Sequence, residues 1–264
     1  MPALDRAPSG RLPAMETAMF LDVLTREGEL LAAAAESAGC DAPVPTCPGW
    51  RVRDLVTHTG VVHRWAERFV AERDSSFRPM EDGPDLDGAA LLDWFRDGHR
   101  RLAGTLRAAP ADLACWHFMP APSSLAFWAR RQAHETAVHR VDAEAARGGA
   151  RSGIAADFAV DGIDELLRGF HARDRSRVRS EKPRTLRVRA TDAGNAGNAV
   201  WTVRLSQEPP VTERGDAGDT GDADCELTGT AEALYLGLWN RQPIPNVTGD
   251  TSLAVLWQER SGVN

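Results

Sequence analysis

Trp128-Ala-Arg-Arg-Gln-Ala-His-Glu-Thr-Ala-Val-His-Arg-Val-Asp142 is the stretch on which the reading of this 264-residue chain turns. Ser123 and Ser124, after Pro120 and Pro122, supply capping chemistry for a helix that carries it to about Arg147. A helix turns by about 100° per residue, so Glu135 and His139 share a face and Asp142 continues the stripe. His134 diverges from His139 by about 140° on the same geometry. His134 and Glu135 therefore do not open a His-Glu-x-x-His protease motif, whose histidines stand four apart. A third candidate, His58, sits in Asp54-Leu-Val-Thr-His-Thr-Gly60. If both segments are helical, His58, Glu135 and His139 can converge on a divalent metal from two facing helices. Three protein ligands leave one coordination position open, as in catalytic zinc sites. On spacing alone the simpler alternative is a solvated Glu–His pair, stabilising a helix surface by roughly a few tenths of a kcal/mol. His63, His99, His117 and His171 have no comparable partners, and surface or capping roles are expected for them.

Three more long helices precede this one. Glu16 to about Ala38 carries Phe20, Leu24 and Leu31 at helical spacing, with Gly39 as its stop. Pro43-Val-Pro-Thr-Cys-Pro-Gly-Trp50 cannot be helical and reads as an ordered loop. Its Trp50 either packs at the end of the bundle or lines the mouth of the site. A second helix runs from about Val52 to Arg73, and a third follows capping chemistry at Asp85 to Gly88. Trp65, Trp94 and Trp128 are core residues by spacing. Arg151 to about Ala172 reads as a fifth helix, and Arg173 to Lys182 as a charged linker.

Beyond the linker the period changes from helical to twofold. Thr185-Leu-Arg-Val-Arg-Ala and Ala199-Val-Trp-Thr-Val-Arg-Leu are strands, with a hairpin loop at Gly194 to Asn198. Gly215 to Gly221 is a second turn, Cys225-Glu-Leu-Thr a strand, and two helices follow, from Ala231 and around Leu253 to Gln258. The fold class is α+β, with a helical domain over residues 1–175 and a small α+β domain over 183–264.

A net charge of −7 argues against nucleic acid as the main partner, since phosphate binding usually needs a basic face. No apolar run approaches the ~20 residues that cross a bilayer, so no membrane partner is expected. The opening Met-Pro-Ala-Leu-Asp-Arg does not read as a signal peptide. Cys40, Cys47, Cys115 and Cys225 form no Cys-x-x-Cys pair, and reduced thiols in a cytoplasmic protein fit them best. Cys47, between two prolines and close to the His58 helix, is either a reactive thiol or a structural cysteine, and the structural reading is favoured because nothing visible would lower its pKa.

Thr46-Cys-Pro-Gly-Trp-Arg-Val-Arg-Asp-Leu-Val-Thr-His58 resembles the opening motif of the mycothiol-dependent maleylpyruvate isomerase family, Pro-Gly-Trp-x-Val-x-Asp-Leu-x-x-His. His134-Glu-Thr-Ala-Val-His-Arg-Val-Asp142 is similar to the family's second motif. Leu227-Thr-Gly-Thr-Ala-Glu-Ala-Leu-Tyr-Leu-Gly-Leu-Trp-Asn-Arg241, followed by Val247-Thr-Gly-Asp250, looks like its small second domain. The resemblance implies a metal-binding four-helix bundle of the DinB type joined to a sterol-carrier-like α/β domain. It implies zinc held by His58, Glu135 and His139, and a functionally important arginine that matches Arg241. Two departures stand out: Asn240 before Arg241, where a small residue is expected, and an N-terminal extension from Met1 to Pro13.

The chemistry so implied is activation of mycothiol, the actinobacterial thiol, at zinc for addition to or exchange on a small electrophile. The activity expected is a thiol S-transferase or a maleylpyruvate-type cis/trans isomerase, in a monomer or homodimer. Arg241 would pair with a substrate carboxylate. Asp54 and Asp142 are either imidazole-orienting groups or plain helix-surface charges. The alternative is a non-catalytic two-domain protein, binding small molecules or regulatory, with a structural metal. Against it, structural zinc normally has four protein ligands, often cysteines.

Overall fold

The four long helical patterns of the first half fold as α1 (Thr17–Ala38), α2 (Val52–Glu72), α3 (Gly88–Ala108) and α4 (Ser124–Arg147). The structure, a computed structural model, describes residues 15–193, 199–215 and 221–263. The Met1–Pro13 extension and the hairpin loop at 194–198 lie outside those residues, as does 216–220 of the Gly/Asp-rich turn. Helix starts follow local capping chemistry: Asp87 accepts from the Gly88 N–H at 2.7 Å, and the Ser123 hydroxyl from the Ala126 N–H at 3.1 Å. Gly39, at φ 83°, ends α1.

Helix α4 is the inner member of this bundle. Trp128, Ala133, Ala137, Val141 and Ala143 are buried, and so are the polar His134, Thr136, Arg140 and Asp142. The Glu135–His139–Asp142 stripe is therefore not a solvated surface: His139 and Asp142 are buried and Glu135 is half-buried. Helix α1 packs chiefly on α4 and α2 on α3, while α2 also meets α4. The α2–α3 crossing is close: a Cβ added at Gly60 would overlap the Trp94 ring. Trp128 is a core residue as expected, but Trp65 and Trp94 are only half-buried. Trp65 donates its indole N–H to Arg78 O at 2.7 Å, and Trp94 carries the Arg64 guanidinium over its ring at 3.9 Å.

The surface or capping roles expected for the remaining histidines fail for three of them. His63, His99 and His171 are buried. His63 pairs with the Thr136 hydroxyl at 2.9 Å, and the His99 ring lies against the backbone of Gly28. These positions are apolar by helical phase, and a neutral imidazole with one local partner is accommodated there. His117 is half-buried beside Met119 O, at 2.9 Å.

The second half contains α5 (Ala156–Asp164), which passes into a π-helical turn at Glu165–Phe170, then β1 (Arg184–Ala190), β2 (Ala199–Leu205), β3 (Val211–Gly215), β4 (Cys225–Gly229), α6 (Ala231–Leu238), β5 (Asn246–Gly249) and α7 (Ser252–Arg260). Among the described residues the sheet order is β3-β2-β1-β4-β5. β1 and β2 are antiparallel, with Val188 opposite Trp201, and β1 runs parallel to β4, with Val188 opposite Leu227. Leu186, Val188, Trp201, Val203, Cys225 and Leu227 are fully buried. The strands β3 and β5 were not expected. Both lie at the sheet's edges, are short, and carry little apolar alternation to mark them.

By its contacts the chain forms two compact units, Glu16–Ile154 with Leu236–Pro243, and Ala155–Tyr235 with Ile244–Asn264. These are not the units of a linear cut between residues 175 and 183. Helix α5 belongs with the sheet, where Asp164 accepts from the Trp201 indole at 3.2 Å and Phe158 meets Tyr235 edge-on. The short stretch after Tyr235 belongs with the helical bundle. No helix among the described residues is long and apolar enough to cross a membrane. All four cysteines are free.

Candidate metal centre

The ordered loop before α2 is held by its own backbone. Val44 N–H bonds to Trp50 O at 2.9 Å, Cys47 N–H to Val44 O at 3.1 Å, and Trp50 N–H to Cys47 O at 3.0 Å. It delivers the chain into α2, whose first turn is closed by the Asp54 carboxylate accepting from the Arg51 N–H at 2.8 Å. One turn on, His58 faces α4. Its Nε2 lies 3.4 Å from Glu135 Oε1, and His139 Nε2 lies 3.2 Å from the same oxygen. One donor atom from each of the three falls within 4.8 Å of the others. The two-helix convergence expected of these residues is present.

Each candidate ligand on α4 is oriented by a neighbour. Arg131, one turn before Glu135, donates to Glu135 Oε2 at 3.2 Å, leaving Oε1 toward the imidazoles. His139 Nδ1 lies 2.9 Å from Asp142 Oδ2. A carboxylate only accepts, so Nδ1 is the donor there and Nε2 is the nitrogen aimed at the site. Burial works against the charge on His139, but hydrogen bonds and charge from Asp142 and Glu135 outweigh it and raise its pKa to about 9. Burial likewise opposes ionisation of Glu135, yet His139, His58 and Arg131 hold its carboxyl well below the usual carboxylate range. His139 thus carries a proton beside the Glu135 carboxylate, a place that a cation would suit. A mixed nitrogen and oxygen donor set of this kind fits zinc.

Asp142 is fully buried and gathers four groups. Thr46 Oγ1 donates to Oδ1 at 2.6 Å, Cys47 Sγ lies 3.4 Å from Oδ2, and His139 takes Oδ2. Arg241 grips both oxygens, Nε to Oδ1 and Nη2 to Oδ2, each at 2.9 Å. Burial raises the Asp142 carboxyl, but His139 and Arg241 outweigh it and bring it far below its ordinary value. Trp50 forms a wall, its ring 5.1 Å from that of His58 and stacked at 6.2 Å on His139. Of the two roles weighed for Trp50 it therefore lines the site, while its remaining surface packs on the bundle core.

Residues 21–144 match the family model of the mycothiol maleylpyruvate isomerase N-terminal domain, and residues 157–256 match that of the MDMPI C-terminal domain. The chain belongs to the mycothiol maleylpyruvate isomerase family. A comparison with curated proteins finds no match.

Within the mycothiol maleylpyruvate isomerase framework, the unusual Asn240 acquires a physical reason. It has φ 59°, in the left-handed region. Arg241 N–H bonds to Leu236 O at 2.8 Å and Asn240 N–H to Gly237 O at 3.0 Å, which is the paired closure of a Schellman turn at the end of α6. After glycine, asparagine is the residue best suited to that backbone. The turn throws Arg241 toward Asp142. Of the two aspartates weighed as imidazole-orienting, Asp142 touches an imidazole and Asp54 serves the helix start.

Two participants carried no signal strong enough to be singled out. Thr46 opens the first family motif, but nothing in a lone threonine marks it as an aspartate partner. Arg131 stands four before Glu135 and reads as an ordinary surface ion pair. Cys47 is near the site yet chemically quiet: burial, then the charge of Asp142, pushes its thiol up to about 12.

Proposed function

We propose that this protein is an enzyme that holds zinc through His58, Glu135 and His139 and uses a low-molecular-weight thiol, mycothiol, on a small electrophilic substrate. The observation that carries this reading is the convergence of three donor atoms from two helices within 4.8 Å, with no fourth His, Cys, Asp or Glu in the group among the described residues. A set of three with a free position suits catalysis better than a closed structural site. Membership of the mycothiol maleylpyruvate isomerase family supports the thiol as co-substrate. When bound, zinc lowers the pKa of a thiol so that thiolate is present at neutral pH.

The chain's own residues prepare that chemistry. Asp142 keeps His139 Nε2 turned to the site, and Arg131 keeps Glu135 Oε1 turned to it. Trp50 sets an aromatic wall beside both imidazoles, which excludes water from that side. Thiol transfer and cis/trans isomerisation place the same demands on these residues, so the reaction type is defined by the electrophile.

The test is metal analysis of the purified protein together with turnover of mycothiol against maleylpyruvate and other small electrophiles. One zinc per chain, turnover lost on chelation and restored by zinc, and at least a ~100-fold loss in His58→Ala are the expected results. Undiminished thiol-dependent turnover in His58→Ala or in the metal-free protein would overturn the reading.

A further inference from the structure

We infer that Arg241 is a positioning residue of the metal centre: it holds Asp142, and Asp142 holds His139. This inference rests on the zinc reading above and assigns Arg241 a task other than pairing with a substrate carboxylate.

The geometry of the guanidinium carries it. Its Nε–Nη2 edge is committed to both oxygens of Asp142, at 2.9 Å each. Its other edge is divided between Trp239 O, 2.8 Å from Nη1, and Cys47 Sγ, 3.6 Å from Nη2. A substrate carboxylate recognised by a fork needs two parallel N–H groups, and neither edge offers them. The Asp142 carboxylate, by contrast, needs this partner. It has no solvent exposure, and a buried charge without a compensating partner is strongly disfavoured.

The fork also fixes direction. A carboxylate gripped at both oxygens by a planar guanidinium cannot swing about its Cβ–Cγ bond, so Oδ2 stays aimed at His139 Nδ1. Thr46 reinforces the same orientation from Oδ1. A relay therefore runs from the turn after α6, through Arg241 and Asp142, to a ligand on α4 that lies 102 positions earlier in the chain than Arg241. Lysine could replace the charge but not the two-point grip.

The experiment measures zinc affinity by chelator competition, and the absorption of the cobalt-substituted protein, in wild type, Arg241→Met, Arg241→Lys, Asp142→Asn and the Arg241→Met/Asp142→Asn double variant. Each single variant should weaken zinc by ~10–100-fold, Lys less than Met. The double variant should lose no more than the worse single one, because both changes break one relay. The cobalt bands should shift in the variants as His139 loses its fixed orientation. Arg241→Lys and Asp142→Asn keep size and polarity, so they serve if Arg241→Met does not fold. Zinc affinity within ~2-fold of wild type in Arg241→Lys and Arg241→Met, with a raised KM for the electrophile alone, would overturn the inference in favour of a substrate clamp. A wild-type protein that takes up no zinc would overturn both this inference and the function on which it rests.

Discussion

Arg140 and Glu27 form an ion pair with neither side chain in contact with solvent: Arg140 Nε donates to Glu27 Oε2 at 2.7 Å, tying α4 to α1. The same guanidinium gives Nη1 to Glu144 and to Ser152 O, both at 2.7 Å. Charges buried together are costly to separate: without Arg140, Glu27 keeps only the exposed Arg26, whose Nη2 donates to Oε1 at 2.7 Å, and its carboxylate stays in a medium that solvates it poorly. Arg140→Met should therefore destabilise the protein by about 3–5 kcal/mol. The double variant Arg140→Met/Glu27→Met should recover a large part of that loss, since it leaves a single carboxylate that Ser152 still satisfies. Urea unfolding measures both. A loss below about 1 kcal/mol in Arg140→Met would mean the pair is solvated in solution.

His171 predicts a pH dependence of stability. Burial pushes its imidazole down to about 4, and its ring meets Trp257 edge-on at 4.7 Å. The folded protein therefore keeps His171 neutral where an unfolded chain, titrating near 6.5, already binds a proton. Its contribution is fully present above about pH 6.5 and is lost as the pH falls toward 4, amounting to about 3 kcal/mol over that window. Burial lowers His63 and His99 as well, so wild type declines through all three. His171→Phe, which keeps a ring against Trp257, should show a shallower decline between pH 6.5 and 4 in denaturant titrations. Parallel declines in the two proteins would refute the assignment.

Most helix positions were legible because their signals are local. Asp87, Ser123 and Gly39 mark ends through side-chain or backbone chemistry that needs no tertiary contact. The candidate ligands were legible as types at a spacing, since Glu135 and His139 share a face on any helix. What orients them was not. Asp142 gains its meaning from Thr46 and Arg241, 96 and 99 residues away, and periodicity carries no information over such separations. The same limit misled the reading of His63, His99 and His171: spacing puts them on inward faces, but a polar residue there reads as exposed unless its partner, such as Thr136 for His63, is known. The edge strands β3 and β5 stayed hidden because only a central strand needs apolar side chains on both flanks.

Cys47 predicts slow thiol chemistry. Its pKa of about 12 leaves roughly a thousandfold less thiolate near neutrality than a cysteine at its ordinary value of 9.0. Alkylation of Cys47 by iodoacetamide at pH 8, followed by peptide mass spectrometry, should be slower by about that factor than for a free thiol. Burial is the main cause, with the neighbouring Asp142 charge next. Asp142→Asn removes the second cause and should speed labelling. Labelling at the free-thiol rate in the wild-type protein would show that Arg241, 3.6 Å from the sulfur, dominates instead.

Asn240 tests whether a helix cap reaches the proposed metal site. Its left-handed backbone is needed for the Schellman turn that places Arg241, so residue 240 bears on the site through its conformation. Asn240→Gly should be nearly neutral, because glycine adopts this backbone without a Cβ clash. Asn240→Val should cost roughly 1–2 kcal/mol, since a β-branched residue is strongly disfavoured there. A chain that relieves that strain by opening the turn also withdraws Arg241 from Asp142. Asn240→Val should then weaken zinc binding in the same direction as Arg241→Lys, whereas Asn240→Gly should not. Thermal unfolding and chelator competition on the two variants separate these effects. A destabilised Asn240→Val with wild-type zinc affinity would show that Arg241 finds Asp142 without help from the turn.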